Sequence, residues 1–212
     1  MKDYDVYLFD FDGTLFDTKI ALRSVWRDAF LAVGQDVKDE ECDYYMHLNL
    51  LQTLKMRKVK EEDYPKFVKA IVASIDRLEI IKSNVPFEET KQLLHALKAK
   101  GKRIGIVSGN STIHIGKVLK YWGLEEEPEV LMGNDLYKNG KPSPEPILFA
   151  LDRMNLEPSG RIVYVGDSLQ DVVAATAAKV DGTLIDRENE HPDFKGEKIT
   201  SLLELLNVTS AS

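Results

Sequence analysis

The sequence predicts an α/β fold: a Rossmann-like, doubly wound parallel sheet core with an inserted block of α-helices. Three observations predict it. Short apolar runs bounded by charged or turn residues recur along the chain, which is typical of buried strands. Amphipathic stretches that stop at glycine lie between them, which is typical of helices. One long segment near the N-terminus carries helical patterns without a convincing strand.

The predicted elements alternate along the chain. The first strand, VYLF, runs into the turn Asp12-Gly13, and the helices that follow later strands stop at Gly101 and Gly123 or begin at prolines. Strands are predicted at 6–9, 103–107, 130–132, 162–165 and 183–185, and helices at 87–100, 112–122, 144–155, 171–179 and 201–206. Strands separated by helices indicate a parallel sheet covered on both faces. The site of such a sheet lies beyond the carboxyl ends of its strands.

The helical insertion has its own boundaries. Amphipathic patterns cover 20–33 and 64–81, with two shorter ones between them. Capping residues at Asp17-Thr18 and a proline within 83–86 mark the two crossings. We therefore expect a core of residues 1–16 and 85–212, with residues 17–84 inserted after the first strand.

Composition excludes several classes of protein. With 43% hydrophobic and 30% charged residues, the chain is neither disordered nor fibrous. The net charge of −7 gives no basic face, so we expect no nucleic-acid partner. A single cysteine, Cys42, excludes an intramolecular disulfide and fits a reducing compartment. Because there is no signal-peptide core and no apolar run near the length of a membrane span, we expect a soluble, cytoplasmic protein without a membrane partner.

Two pairs of acids follow predicted strands. Asp10 and Asp12 come directly after the first strand and, in an extended chain, project to the same side. Carboxylates this close repel unless a cation or a proton lies between them, and Mg²⁺ prefers such oxygen ligands. Asp167 follows the strand IVYV and could supply a further metal carboxylate, with Asp171 one helical turn later. A solvated acidic turn and simple helix capping are the alternatives for these pairs.

Two further segments could bind an oxyanion. Ser108-Gly109-Asn110 places a hydroxyl and backbone N–H groups at a strand end before a helix. Helix capping is one alternative, and a serine nucleophile is another, although no nucleophile elbow or base accompanies it. Lys141, held between Gly140 and prolines, could act as a point charge on phosphate, although most lysines are solvated.

Together these segments resemble the four motifs of one family. DFDGT, VSGN, KPSPEP and GDSLQD are similar, in order, to the motifs of the haloacid dehalogenase (HAD) superfamily. The insertion resembles the helical cap of its phosphoglycolate phosphatase-like and β-phosphoglucomutase-like branch. The resemblance spans essentially the whole chain and implies an enzyme of that family.

The resemblance implies a role for each acid. Asp10 would be the nucleophile that forms an aspartyl-phosphate. Asp12 would act as general acid and base, and its backbone carbonyl would bind Mg²⁺ together with the carboxylates of Asp10 and Asp167. Asp171 would support the metal directly, through water or from behind the ligands.

The remaining motif residues would bind the phosphoryl group. Ser108 and the backbone amides of Gly109 and Asn110 would hold its oxygens, and Lys141 would neutralise charge on both Asp10 and the phosphoryl group. Catalysis would therefore rest on Asp10, Asp12, Ser108 and Lys141. This division suits two anions that must react, because positioning and charge neutralisation are then the main tasks.

The implied activity is Mg²⁺-dependent hydrolysis of a small phosphorylated metabolite beneath a closing cap. Two alternatives stay open. A phosphomutase would need a second phosphate pocket, for which the run 55–60 (KMRKVK) could supply charge, although such runs are usually solvated. A non-enzymatic phospho-aspartate switch, similar to a receiver domain, is disfavoured by the long insertion. The sequence leaves open the oligomeric state and the choice among phosphoglycolate, sugar phosphates, nucleoside monophosphates and pyrophosphate.

A few other residues could touch a substrate. His114 follows the second motif, and we expect it on the outer face of its helix. Tyr44, Tyr45 and His47 in the insertion could line an entrance, although tyrosines at this spacing more often pack.

Overall fold

A computed structural model describes residues 1–46, 48 and 50–207. The chain divides into two compact units, one of Met1–Asp17 with Pro86–Ser212 and one of Thr18–Val85. The strands are β1 (Val6–Phe9), β2 (Phe16–Asp17), β3 (Val85–Pro86), β4 (Arg103–Val107), β5 (Val130–Met132), β6 (Ile162–Gly166), β7 (Asp181–Ile185) and β8 (Lys198–Ile199). The helices are α1 (Lys19–Ala32), α2 (Asp39–Met46), α3 (Leu50–Met56), α4 (Tyr64–Ile75), α5 (Leu78–Ser83), α6 (Thr90–Ala99), α7 (Thr112–Trp122), α8 (Glu145–Arg153) and α9 (Leu169–Ala177), with short 3₁₀ helices at Glu61–Asp63 and Leu202–Leu206.

The first unit is built on one six-stranded sheet in the order β5-β4-β1-β6-β7-β8. Every neighbouring pair in it runs parallel. β1 lies between β4 and β6, with Phe9 opposite both Ile106 and Val165. The carboxyl ends of these three strands therefore meet at one edge, where the strand order reverses direction. The predicted α/β fold is confirmed.

One face of the sheet is covered by α8 and α9. Val6 and Leu8 of β1 and Tyr164 of β6 join a buried cluster with Ile147 of α8 and Ala174 of α9. Alternate residues of a strand share a face, so Asp10, the next position in this series, leaves β1 on the same side as Leu8. The packing of this core therefore determines on which side of the sheet Asp10 lies.

The second unit is helical, and α1 packs against α4. Its core is aromatic: Trp26 stacks on Phe30 with ring centroids 6.0 Å apart, and Phe30 meets Phe67 edge to face at 4.9 Å. Tyr45 is buried with them, whereas Tyr44 is exposed. The role of packing therefore fits Tyr45.

The amphipathic pattern at 64–81 is continuous and so suggests one helix, but the structure has two helices there, α4 and α5. The break falls at Asp76 and Arg77, and Arg77 has extended backbone (φ −68°, ψ 142°). The Arg77 guanidinium donates to Asp28 and Ser74, which fixes this corner of the chain. The apolar spacing continues through the break and so hides it.

The prediction also missed β2, β3 and β8, each two residues long and too short for a periodic pattern. β2 and β3 pair with one another. His47 lies outside the described residues. Within those residues, none of the helices combines the length and apolar character that crossing a bilayer requires.

Candidate active site

The chain turns sharply as it leaves β1. The Asp10 amide donates to Val165 O at 2.9 Å, which prolongs the ladder by one residue, and its carboxylate is almost fully buried. Gly13 then adopts φ +71°, a conformation that side chains rarely tolerate. A Cβ at Gly13 would lie 2.0 Å from Asp167 Oδ2. Glycine is therefore required here for its conformation and because Asp167 comes so close to the turn.

Asp12 points toward the end of β4 and not into the cluster that surrounds Asp10. Its carboxylate accepts a hydrogen bond from Ser108 Oγ at 3.2 Å and two from Asn110 Nδ2 at 2.8 and 3.0 Å. Ser108 Oγ in turn accepts from the Asn110 amide at 3.1 Å. Two acids only two residues apart thus have different partners and different surroundings.

Lys141 contacts acids from two distant parts of the chain, one directly after β1 and one in α9. Its Nζ lies 2.9 Å from Asp10 Oδ1 and 2.6 Å from Asp171 Oδ1. A third contact, at 3.0 Å, is to the Tyr164 hydroxyl, which itself donates to Val107 O at 2.9 Å. An ammonium group has three donors, so this arrangement engages all of them.

Asp171 holds Lys141 and caps a helix at the same time. While Oδ1 faces Lys141, Oδ2 accepts from Ser168 N at 3.0 Å and from Ser168 Oγ at 2.6 Å. Ser168 Oγ also accepts from the Asp171 amide at 3.4 Å, which together with the bond from Ser168 N forms a capping box at the start of α9. Gly166 permits this approach, since a Cβ there would lie 2.2 Å from Asp171 Cγ. Both oxygens of Asp171 are therefore occupied within the protein.

The cluster is short of positive charge. Carboxylate oxygens of Asp10, Asp167 and Asp171 lie within 4.8 Å of one another. Burial raises the pKa of Asp10 well above its usual range, and Lys141 offsets this only in part. Burial, followed by the charge of Asp171, raises the pKa of Asp167 to about 7. For Lys141, burial alone would lower the pKa, but the carboxylates of Asp10 and Asp171 outweigh it, so Lys141 stays charged.

These residues fit a hard divalent cation. The available donors are carboxylate oxygens, which Mg²⁺ prefers. Burial first, and then the charges of the neighbouring acids, raise the pKa values of Asp10 and Asp167, so a cation between them would favour the ionised carboxylates. Asp10 and Asp167 have oxygens to offer, whereas those of Asp171 are already hydrogen-bonded. Asp10 and Asp167 could therefore ligate a cation, whereas Asp171 could support it only indirectly.

The structure brings most of the predicted site residues together in two groups. Asp10, Lys141, Asp167 and Asp171 form the charged cluster, and Ser108 and Asn110 surround Asp12. Gly109 is exposed beside the second group.

Two residues that sequence reasoning missed support these groups. One is Tyr164, whose hydroxyl contacts Lys141; a signal for it was the single hydroxyl within the otherwise aliphatic strand IVYV. The other is Tyr137, which donates to Ser108 O at 2.9 Å and for which no spacing signal exists. Burial raises the pKa of Tyr137 to about 12, so its hydroxyl remains a donor.

The prediction for His114 was wrong, because its side chain is buried within α7 and does not face outward. The charged run at 55–60 divides in two. Lys55, Lys58 and Lys60 are exposed. Arg57 instead donates to Glu41 at 2.5 Å and to Asp36 O at 2.6 Å.

Residues 7–189 match the family of haloacid dehalogenase-like hydrolases. The chain is 26% identical to the phosphoglycolate phosphatase of Colwellia psychrerythraea, over 85% of this chain and 84% of that protein. It is 25% identical to the phosphoglycolate phosphatase of Aquifex aeolicus, over 95% of this chain and 96% of that protein. The structure of a haloacid dehalogenase-like family hydrolase from Streptococcus pneumoniae aligns with a TM-score of 0.81 at 18% identity, over 96% of this chain and 97% of that one, which shows the same fold.

The family match covers the strand ends that carry both groups of site residues, and the relatives agree with the resemblance seen in the four motifs. The predicted enzyme class, a HAD-like phosphatase, is confirmed. The chain belongs to the haloacid dehalogenase-like hydrolase family.

Proposed function

We propose that this protein is a Mg²⁺-dependent phosphomonoester hydrolase that acts on a small phosphorylated metabolite through an aspartyl-phosphate on Asp10. One observation carries the proposal: Asp10 and Asp12, two residues apart, have separate surroundings. Asp10 is buried beside Lys141, whereas Asp12 is held by Ser108 and Asn110. A nucleophile and a general acid–base need different surroundings. Asp10 must be ionised when it attacks, which Lys141 and a bound cation would favour against the effect of burial on its pKa, while Asp12 exchanges a proton.

In the first step, an oxygen of Asp10 attacks phosphorus and the bond from phosphorus to the leaving oxygen breaks. Asp12 gives its proton to the departing alkoxide. In the second step, Asp12 takes a proton from water, the water oxygen attacks phosphorus, and the bond from phosphorus to Asp10 breaks. Inorganic phosphate leaves, and both acids return to their starting states.

The surrounding groups position the phosphoryl group. The Ser108 hydroxyl and the amides of Gly109 and Asn110 would donate to its oxygens, and the Lys141 ammonium would neutralise the charge that Asp10 and the phosphoryl group share. Bound Mg²⁺, held by Asp10, Asp167 and the backbone carbonyl of Asp12, would supply further positive charge toward the phosphoryl oxygens. Asp171 would keep Lys141 in place.

We further propose that residues 17–84 act as a cap that selects the substrate, and that phosphoglycolate is the first compound to test. The names of the relatives support this choice of compound. The unpaired, buried Cys42 supports a reducing, cytoplasmic setting. The internal contacts of Arg57 weigh against a phosphomutase, because they occupy the most buried cation of the run proposed for a second phosphate pocket.

The test is turnover of p-nitrophenyl phosphate by wild type and Asp10→Asn, each with Mg²⁺ and with chelator. We expect multiple turnovers by wild type with Mg²⁺ only, and none by Asp10→Asn after mass spectrometry has excluded deamidation. Turnover by Asp10→Asn would refute the nucleophile. Stoichiometric labelling by acetyl phosphate without turnover would instead support the switch. A screen of phosphorylated metabolites ranked by kcat/KM then identifies the substrate.

A further inference from the structure

The loop that carries Asp10 and Asp12 is short and tightly folded. Within it, Gly13 N donates to Phe16 O at 2.8 Å, and Phe16 N donates to Phe11 O at 3.0 Å. These bonds fix the shape of the loop but do not fix its position relative to Asp167. Since the Gly13 backbone lies directly against the Asp167 carboxylate, a small shift of the loop would change the spacing of the charged cluster.

Arg187 contacts this loop from the other half of the unit. It follows β7 by two residues, and its guanidinium donates to Gly13 O at 2.8 Å and to Thr14 O at 3.0 Å. The same group lies 3.0 Å from Glu89 Oε1 and 3.7 Å from the ring centroid of Phe87. A planar guanidinium is suited to this, because its donors diverge at fixed angles to reach several acceptors at once.

The segment that carries Arg187 is itself fixed. The Asp186 carboxylate accepts from Glu190 N at 2.7 Å and His191 N at 3.1 Å, which closes the turn after β7. Lys198 of β8 lies 3.1 Å from the same carboxylate. Arg187 therefore connects the catalytic loop to a part of the sheet that is held independently of that loop.

We propose that Arg187 is a positioning residue that holds the loop of Asp10 and Asp12 against Asp167. It acts on two backbone carbonyls and not on the reacting atoms. The consequence for catalysis rests on the proposed function, whereas the effect on the loop does not. Glu89 pairs with the nitrogen of the guanidinium that also donates to Thr14 O, which restricts the movement of the group.

The experiment compares Arg187→Ala and Arg187→Lys with a matched control, Arg103→Ala. Arg103 also pairs with a glutamate, Glu129, and donates to a backbone carbonyl, Met154 O at 2.8 Å. It is the first residue of β4, however, and so lies at the amino end of the strands, away from the site. Should Arg187→Ala fail to fold, Arg187→Lys keeps the charge without the fork and decides the question.

The first measurement is amide hydrogen exchange of metal-free protein. We expect faster exchange in peptides covering 10–17 in the Arg187 variants but not in Arg103→Ala, with the sheet peptides unchanged. The second is turnover of p-nitrophenyl phosphate with Mg²⁺. Because a loop displaced by a fraction of an ångström misplaces both acids, kcat of Arg187→Ala should fall about 10- to 100-fold, with KM within about threefold of wild type. Guanidinium at non-denaturing concentration should restore part of kcat.

The proposal would be overturned if the Arg187 variants showed unchanged amide exchange in residues 10–17, or if kcat of Arg187→Ala stayed within about twofold of wild type. An equal loss of kcat in Arg103→Ala would also overturn it, since the effect would then be a general loss of stability. If wild type itself shows no turnover, the proposed function fails, and hydrogen exchange alone decides whether Arg187 holds the loop.

Discussion

Replacing Lys141 by methionine should strongly destabilise the metal-free protein. Its Nζ lies 2.9 Å from Asp10 Oδ1 and 2.6 Å from Asp171 Oδ1, and all three side chains are nearly buried. Coulomb's law gives about 6 kcal/mol for each pair at an effective dielectric constant of about 20. The free-energy cost of removing the ions from water offsets much of this attraction. Removing one partner of a buried pair typically costs about 3–5 kcal/mol of stability. Protonation of a freed carboxyl limits the loss, so we expect a value in that range for Lys141→Met.

The assay is urea unfolding at pH 7 with chelator, followed by circular dichroism. Lys102→Met is the matched control, because Lys102 is also largely buried but pairs at 2.7 Å with the half-exposed Asp3, so its loss should cost about 0–1 kcal/mol. Adding Asp10→Asn to Lys141→Met should recover about 1–3 kcal/mol, since it removes one of the carboxylates left without a partner. A loss below about 1 kcal/mol for Lys141→Met, or no recovery in the double variant, would refute the view that Lys141 offsets the repulsion within this cluster.

Three further predictions concern the residues around Lys141. Tyr164→Phe removes a hydroxyl that contacts Lys141, so we expect about 1–2 kcal/mol lower stability and a several-fold lower kcat; an unchanged kcat would separate Tyr164 from catalysis. Gly13→Ala puts a methyl group 2.0 Å from Asp167 Oδ2 at φ +71°, so it should cost more than about 2 kcal/mol in urea unfolding and weaken Mg²⁺ binding; a wild-type response to both would contradict the geometry. Because burial raises the pKa of Asp167 to about 7 from about 4 in the unfolded chain, the folded state holds this proton longer. Stability of the metal-free protein should therefore fall between about pH 4 and pH 7, by about 1.4 kcal/mol per pH unit for this group, and level off above it; equal slopes in wild type and Asp167→Asn would contradict the assignment.

The elements that the sequence predicted well are those with a long local signal. Strands such as VYLF and RIGIV are short, mainly apolar runs, and α7 spans the predicted 112–122 and ends at Gly123. The acids, Ser108 and Lys141 could be singled out because chemistry in a parallel sheet concentrates where strands end. The structure shows that these residues lie close together, whereas their catalytic roles stay proposals.

The rest depended on contacts between residues that are distant in the chain. The Asn110 side chain holds Asp12, although the sequence suggested only its backbone amide. Arg187 reaches the carbonyl of Gly13 across almost the entire chain. No periodicity or spacing encodes such pairs, because they arise only once the sheet has brought its strands together.

The order of the strands in the sheet also constrains when the site can form during synthesis on the ribosome. β1 emerges first, yet its neighbours in the finished sheet, β4 and β6, are synthesised much later. Asp10 therefore waits in a nascent chain without Lys141, Asp167 or Asp171, and a product truncated before β6 lacks both later acids. Under the proposed function, such fragments would not hydrolyse a phosphate ester, so activity would require synthesis through at least β6 and the start of α9.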